Sequence, residues 1–175
     1  AVTLWTDTVR HRPQNARAHA SLGAALLEQG RLAPAVASLE HALRLDPNLA
    51  EAHNNLATAL LDLNRPQDAI EHFAAALHLR PGTASTHYNF GNALFGLGRT
   101  AEAIAQQQQA LILRPEFPES FCALAQALAA TQRFDEAIAR YREALRLQPE
   151  LTAAHFGLAN ALAGTGRGAE SIGHY

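Results

Sequence analysis

Residues 50–81 read AEAHNNLATALLDLNRPQDAIEHFAAALHLRP, and residues 84–115 read ASTHYNFGNALFGLGRTAEAIAQQQQALILRP. Laid one over the other, they match at His53 and His87, Asn55 and Asn89, Leu60 and Leu94, Arg65 and Arg99, Ala69 and Ala103, and the closing Pro81 and Pro115. The same register runs outward in both directions: Pro13, Pro47, Pro81, Pro115 and Pro149 recur every 34 residues without a slip. Further columns keep step: Leu22, Leu56, Phe90, Leu124 and Leu158; Leu26, Leu60, Leu94, Leu128 and Leu162; Ala35, Ala69, Ala103 and Ala137; and the small residues Gly23, Ala57, Gly91, Ala125 and Ala159. A fixed period of this length marks a repeat array in which each copy packs on the next.

Within one copy, apolar residues at three- and four-residue steps predict two helices, for instance 51–63 and 67–79. The first helix stops at Gly30, Asn64, Gly98, Gln132 or Gly166, mostly residue types that tolerate the left-handed conformation of a helix end. Pro66 and Pro118 fall in first turns, where a missing N–H is harmless, and the closing prolines end the second helices. The prediction is an all-α protein built as a right-handed α-solenoid of antiparallel helical hairpins.

These residues resemble the tetratricopeptide repeat, and Leu22-Gly23, Leu26, Gly30, Ala35, Leu39, Ala42 and Pro47 follow its pattern closely. The resemblance covers the chain: a second helix alone at 1–15, full repeats at 16–49, 50–83, 84–117 and 118–151, and a partial repeat at 152–175. Trp5 and Tyr175 register with the aromatic column of Phe73 and Tyr141, so both ends cut through a repeat and further sequence is expected beyond them. The absence of Met, even at position 1, points the same way.

Composition narrows the function. Apolar residues make up 48% but aromatics only 6%, which suits closely packed helices. All fourteen basic residues are Arg, yet the net charge is −2, so nothing draws the chain toward nucleic acid. Cys122 stands alone and leaves the redox compartment open, with a cytoplasmic location as the default. No apolar run approaches the roughly 20 residues of a membrane span, so membrane insertion is not expected.

In tetratricopeptide arrays the first helices line an inner, concave wall, and the resemblance places Arg17, Ala20, Ser21, Ala24, Leu27 and Glu28 on it. The second repeat adds Glu51, Asn54, Asn55, Thr58 and Asp62, and the third adds Ser85, Tyr88, Asn89, Asn92 and Phe95. A carboxamide can donate to a backbone carbonyl and accept from a backbone N–H, so stacked Asn side chains suit an extended peptide, with Tyr88 and Phe95 as anchors. The competing reading is that Asn merely tolerates an exposed helix face. Further along, Cys122, Ala123, Gln126, Phe156, Gly157 and Asn160 form an almost uncharged wall, suited either to an apolar ligand segment or to packing against a neighbour.

The family's carboxylate clamp needs cations where this chain has Ala20, Ala24, Ser85 and Asn89, so capture of a C-terminal carboxylate is disfavoured. The Asn-bearing helices around Asn55 and Asn89 resemble the arm of the O-linked N-acetylglucosamine transferase, although the column reads Ser21, Asn55, Asn89, Ala123, Gly157. The expected function is a non-catalytic protein-interaction module for a protein or peptide partner, without cofactor or metal. Its alternatives are the substrate-recruiting arm of a larger glycosyltransferase, and a scaffold or homo-oligomer assembled through the chain ends.

Three ladders invite chemistry. His19, His53, His87 and His155 are in register, but repeats stack about 10 Å apart whereas zinc holds its ligands at about 2 Å, so the column reads as structural wedges. Its protonation below about pH 6 is expected to loosen the stack. Arg31, Arg65, Arg99, Arg133 and Arg167 sit at helix ends with Asp68, Glu102, Glu136 and Glu170 three residues on, reading as local pairs or, alternatively, as a basic edge. Gln107 occupies the aromatic column, so its amide is expected to be partly buried and in need of a partner. No nucleophile arrangement, phosphate loop or cysteine signature is present.

Overall fold

The computed structural model describes residues 1–167. Among them are ten α-helices and no strand: α1 (Val2–His11), α2 (Ala16–Glu28), α3 (Leu32–Leu45), α4 (Ala50–Asp62), α5 (Pro66–Leu79), α6 (Ala84–Gly96), α7 (Thr100–Leu113), α8 (Pro118–Ala130), α9 (Phe134–Leu147) and α10 (Thr152–Gly164). The two helices expected at 51–63 and 67–79 each begin one residue earlier, the second on Pro66 itself. The chain divides into two compact units, Ala1–Asn89 and Phe90–Tyr175. In the first, α2 packs on α3, α4 on α5, and α2 also on α4; in the second, α8 packs on α9, and α10 on both. Tyr175 and Glu170, which bear on the expected end-to-end contact and the last Arg pair, lie outside the described residues.

The apolar columns form the cores. In the first unit Leu22, Leu26 and Ala35 gather Val2, Trp5 and Val9 of α1 against them, so Trp5 takes the seat its register assigned. Leu39, Leu56 and Phe73 are fully buried beyond this cluster. The second unit closes around Leu124, Leu128, Ile138, Tyr141, Leu158 and Leu162. Each such side chain contributes roughly 1.5–3 kcal/mol by leaving water, and because each helix touches only neighbouring helices this stabilisation is local.

The turn inside each hairpin shows why several columns recur together. Gly30, Asn64, Gly98, Gln132 and Gly166 all have positive φ, between 58° and 77°, as their places at helix ends predicted. The chain then doubles back. Arg31, Arg65, Arg99, Arg133 and Arg167 donate their N–H groups to the carbonyls of Leu26, Leu60, Leu94, Leu128 and Leu162 at 2.8–3.1 Å. Their own carbonyls then open the second helix, as in Ala35 N–H to Arg31 and Ala69 N–H to Arg65. The Arg ladder is thus hinge backbone first. Its side chains pair locally, Arg65 with Asp68, Arg99 with Glu102 and Arg133 with Glu136, all exposed, and the Arg99 hydrogen bond holds the Glu102 carboxyl below its usual range. At Arg31 the matching position is Pro34, which offers no carboxylate.

The histidine column has a different task from metal binding. His19, His53, His87 and His155 each donate from Nε2 to the carbonyl of the closing proline six residues earlier, Pro13, Pro47, Pro81 and Pro149, at 2.8–3.0 Å. A proline carbonyl can only accept, so Nε2 carries the proton and Nδ1 is left as an acceptor. These bonds fasten each inter-repeat loop to the helix it introduces, and Phe121 stands in the column in the fourth repeat. No group of three or more His, Cys, Asp or Glu among the described residues is placed to hold a metal ion.

His72, outside the column, is set to respond to acid. His53 Nδ1, an acceptor by the reasoning above, receives the Nδ1–H of His72 at 3.0 Å. Burial first, and then the facing His53, hold the pKa of His72 below its ordinary 6.5, against the opposing pull of Glu71, Glu40 and Asp68. The folded chain therefore protonates His72 at lower pH than the unfolded chain does. Its stabilising contribution is complete above pH 6.5 and is lost as pH falls from there through the lowered folded value. Melting temperatures recorded between about pH 7.5 and 5 should fall more steeply for the wild type than for His72→Gln; parallel curves would place the acid response elsewhere.

Candidate functional site

The residues that carry polar chemistry lie on first helices at three positions of the repeat. One position reads Ala20, Asn54, Tyr88, Cys122, Phe156; the next reads Ser21, Asn55, Asn89, Ala123, Gly157; the third reads Ala24, Thr58, Asn92, Gln126, Asn160. Helical spacing at i, i+1 and i+4 puts all three on one face of each first helix.

In the first unit this face opens into two adjoining clefts. One, of about 450 Å³, runs between α2 and α4 and is lined by Arg17, Ser21, Asp46, Glu51, Asn55 and Arg80. The other, of about 330 Å³, is lined by Asn54, Asn55, Arg80, Thr83, Ser85 and Thr86, with Glu51 again at its edge. Asn55 and the ion pair Arg80 Nη1 to Glu51 Oε1, 2.9 Å, belong to both. Asn54 Nδ2 reaches Asn55 Oδ1 at 3.4 Å, a long bond, while Asn54 Oδ1 is sealed from solvent and accepts nothing. A buried acceptor without a donor costs about 1–3 kcal/mol, so this amide pair is held one bond short.

The other expected residues are placed less uniformly. Thr58 turns its hydroxyl back to the Asn54 carbonyl at 3.0 Å and is spent on its own helix. Tyr88 and Asn89 are half-buried on α6 and line neither cleft. Further along α6, within the second unit, Asn92 is exposed and Phe95 packs against the core around Leu124 and Leu128. Gln126 and Asn160 come together in a third cleft, of about 350 Å³, between α8, α9 and α10.

Gln107, expected to be partly buried, is only 1% exposed, and its amide is partnered. The Ser120 hydroxyl donates to Gln107 Oε1 at 2.8 Å, and Gln107 Nε2 donates to Asn92 Oδ1 at 3.0 Å. The amide thus occupies an aromatic position without an unpaired group.

Arg80, Asp46 and Thr86 were not anticipated as cleft residues. Arg80 immediately precedes a closing proline and reads as a helix-terminal cation; only the return of the loop toward α4 brings it to Asn55. Tyr141 was assigned to the core, yet it also floors the third cleft. The signal was Gly157, the one position of its column without a Cβ.

Among the described residues no helix is long and apolar enough to cross a membrane. No curated protein matches the chain. Solved structures resemble it closely in backbone. The MamA protein is 23% identical over 93% of this chain and 88% of its own, with a TM-score of 0.83. YrrB, described as a TPR protein with an unusual peptide-binding site, is 20% identical over 99% and 90%, with a TM-score of 0.83. PilF of Pseudomonas aeruginosa is 25% identical over 94% and 75%, with a TM-score of 0.82. One model of the tetratricopeptide repeat matches residues 54–120 and another matches 23–64 and 126–166, between them most of the array. With its period, its hairpins and their left-handed turns, the chain belongs to the tetratricopeptide repeat family, a family of protein-interaction modules.

Proposed function

We propose that the chain is a non-catalytic module that holds an extended segment of a partner protein on its first-helix face. The observation that carries the reading is the amide pair Asn54 and Asn55 at the meeting of two clefts. A passing peptide offers a backbone N–H and C=O at every residue, and a carboxamide on the cleft wall can both donate and accept, so the pair suits an extended segment. Arg17 and Arg80 beside Asp46 and Glu51 give the same surface both signs of charge, which suits a polar segment more than a polyanion such as nucleic acid. The peptide-binding site ascribed to YrrB lends the reading support by likeness of fold. Asn89 on α6 is proposed to continue the grip, and Tyr88 to flank it.

A peptide-array or pull-down screen of the wild type beside the Asn55→Ala, Asn89→Ala double variant tests this. Loss of two central amide contacts should weaken partner binding by about tenfold or more while helical circular dichroism is unchanged. Partners retained at equal affinity would remove these residues from the recognition surface.

A further inference from the structure

The clefts differ in chemistry, and the difference says what each can accept. Those of the first unit carry Arg17, Asp46, Glu51 and Arg80; among the described residues, none of those lining the cleft between α8, α9 and α10 is charged. We infer that this third cleft is a subsite for one uncharged, apolar side chain of a bound segment, seated beside the exposed Phe156 above the buried Tyr141 ring and held at its flanks by Gln126 and Asn160. The inference rests on the peptide-binding reading and adds the kind of residue read at this place.

Four observations converge on it. A Cβ at Gly157 would stand 2.3 to 2.5 Å from Cζ, Oη and Cε1 of Tyr141, so the ring, only 4% exposed, packs directly under the backbone of α10 and closes the floor of the cleft where that Cβ would be. Phe156, beside it, is 60% exposed, a large apolar ring on the rim. The volume of about 350 Å³ is at the small end of the roughly 300–1,000 Å³ usual for ligand clefts, matching a side chain and its backbone and not a folded element. Finally, an ionised occupant would lose water here and gain no counter-charge, so the lining discriminates against acidic and basic residues. Cys122 conforms to that environment, its thiol pushed up to about 11 by burial. Gln126 and Asn160, one repeat apart on neighbouring first helices, are spaced to take the peptide backbone on either side of the inserted residue.

Cys122 is the sole thiol of the chain and lines this cleft, so its alkylation reports occupancy. The probes are three capped Ser/Gly octapeptides identical except for a central Phe, Asp or Lys, with iodoacetamide at about pH 9, where a thiol of raised pKa still reacts measurably. The Phe peptide should slow alkylation and shift the amide resonances of Gly157 and Asn160; the Asp and Lys peptides should do neither. Phe156→Ser and Gly157→Ala should each weaken the Phe peptide by about tenfold, the first without touching the core and so without risk to the fold. Equal protection by all three peptides, or protection undiminished in Phe156→Ser, would overturn the subsite. If the Phe peptide has no effect while partners remain sensitive to the Asn55 and Asn89 substitutions, the subsite fails and peptide binding stands; if those partners are insensitive as well, both fail.

Discussion

Phe73→Ala is expected to lower the unfolding free energy by about 3–5 kcal/mol, a large share of the roughly 5–15 kcal/mol typical of a domain. Phe73 is the largest fully buried side chain among the described residues, at 0% exposure, and the buried residues one turn to either side of it on α5 are Ala69 and Ala76, already reduced to methyl groups, while Ile70 and Leu77 are only partly buried. The two buried alanines have nothing to swing into the void, and their backbone is held by the helix, so most of the cavity stays open and the cavity penalty applies. The measurement is urea denaturation followed by circular dichroism, with native-state amide exchange to locate the loss. In a chain whose helices touch only near neighbours, protection should fall first in α4 and α5. The array need not unfold in one step, so the slope of each transition has to be compared with the wild type before a free energy is taken from it. A loss below about 1 kcal/mol would mean that Phe73 is not packed as described.

How much of this could be read from the chain alone depends on the range of the physics involved. The hairpins, their left-handed turns and the buried columns were legible because each depends on residues within one period, repeated until chance is excluded. Gly30 and Gln132 occupy one position and adopt one conformation although only the first is an easy choice for it. The same redundancy revealed that His53 and His87 share a structural task, but not its form: the acceptor is a proline carbonyl, a backbone atom with no signature of its own. Gln107 shows the boundary most clearly. Its column predicted an amide in an aromatic seat needing a partner, while the partners are Asn92 on the preceding helix and Ser120 on the following one. Ser120 is unique to its repeat, and a period cannot announce a residue that breaks it. The candidate site divides in the same way. Asn54, Asn55, Gln126 and Asn160, which line the clefts, could be singled out because carboxamides on a first-helix face are conspicuous. Arg80 and Tyr141 were not, since the first comes from a loop end and the second, almost wholly buried, packs under the place of a missing Cβ.

Leu39→Ala should cost about 2–5 kcal/mol and Gly23→Ala about 1–3 kcal/mol, yet the two together should cost less than their sum by about 1–3 kcal/mol. A Cβ on Gly23 would meet Leu39 Cγ at 2.5 Å and Cδ2 at 2.9 Å, so adding a methyl group overpacks a side chain that is fully buried. Removing Cγ and Cδ2 of Leu39 creates the space that this Cβ needs, and in the double variant each change repairs part of the other's damage. What remains is the carbonyl of Ala35, 3.2 Å from the added Cβ, close enough that recovery should be incomplete. The repeats themselves suggest that the two positions are chosen together. Glycine faces the γ-branched Leu39 and the tethered amide of Gln107, whose Nε2 would lie 2.6 Å from a Cβ on Gly91, whereas the same register pairs Ala57 with Phe73 and Ala125 with Tyr141. A flat ring has room beside a methyl group where a branch or a fixed amide does not. Calorimetry on the four proteins of the cycle decides the matter: additivity within about 0.5 kcal/mol would mean that the helices separate to admit the methyl group, and that glycine in this column reflects something other than the side chain it faces.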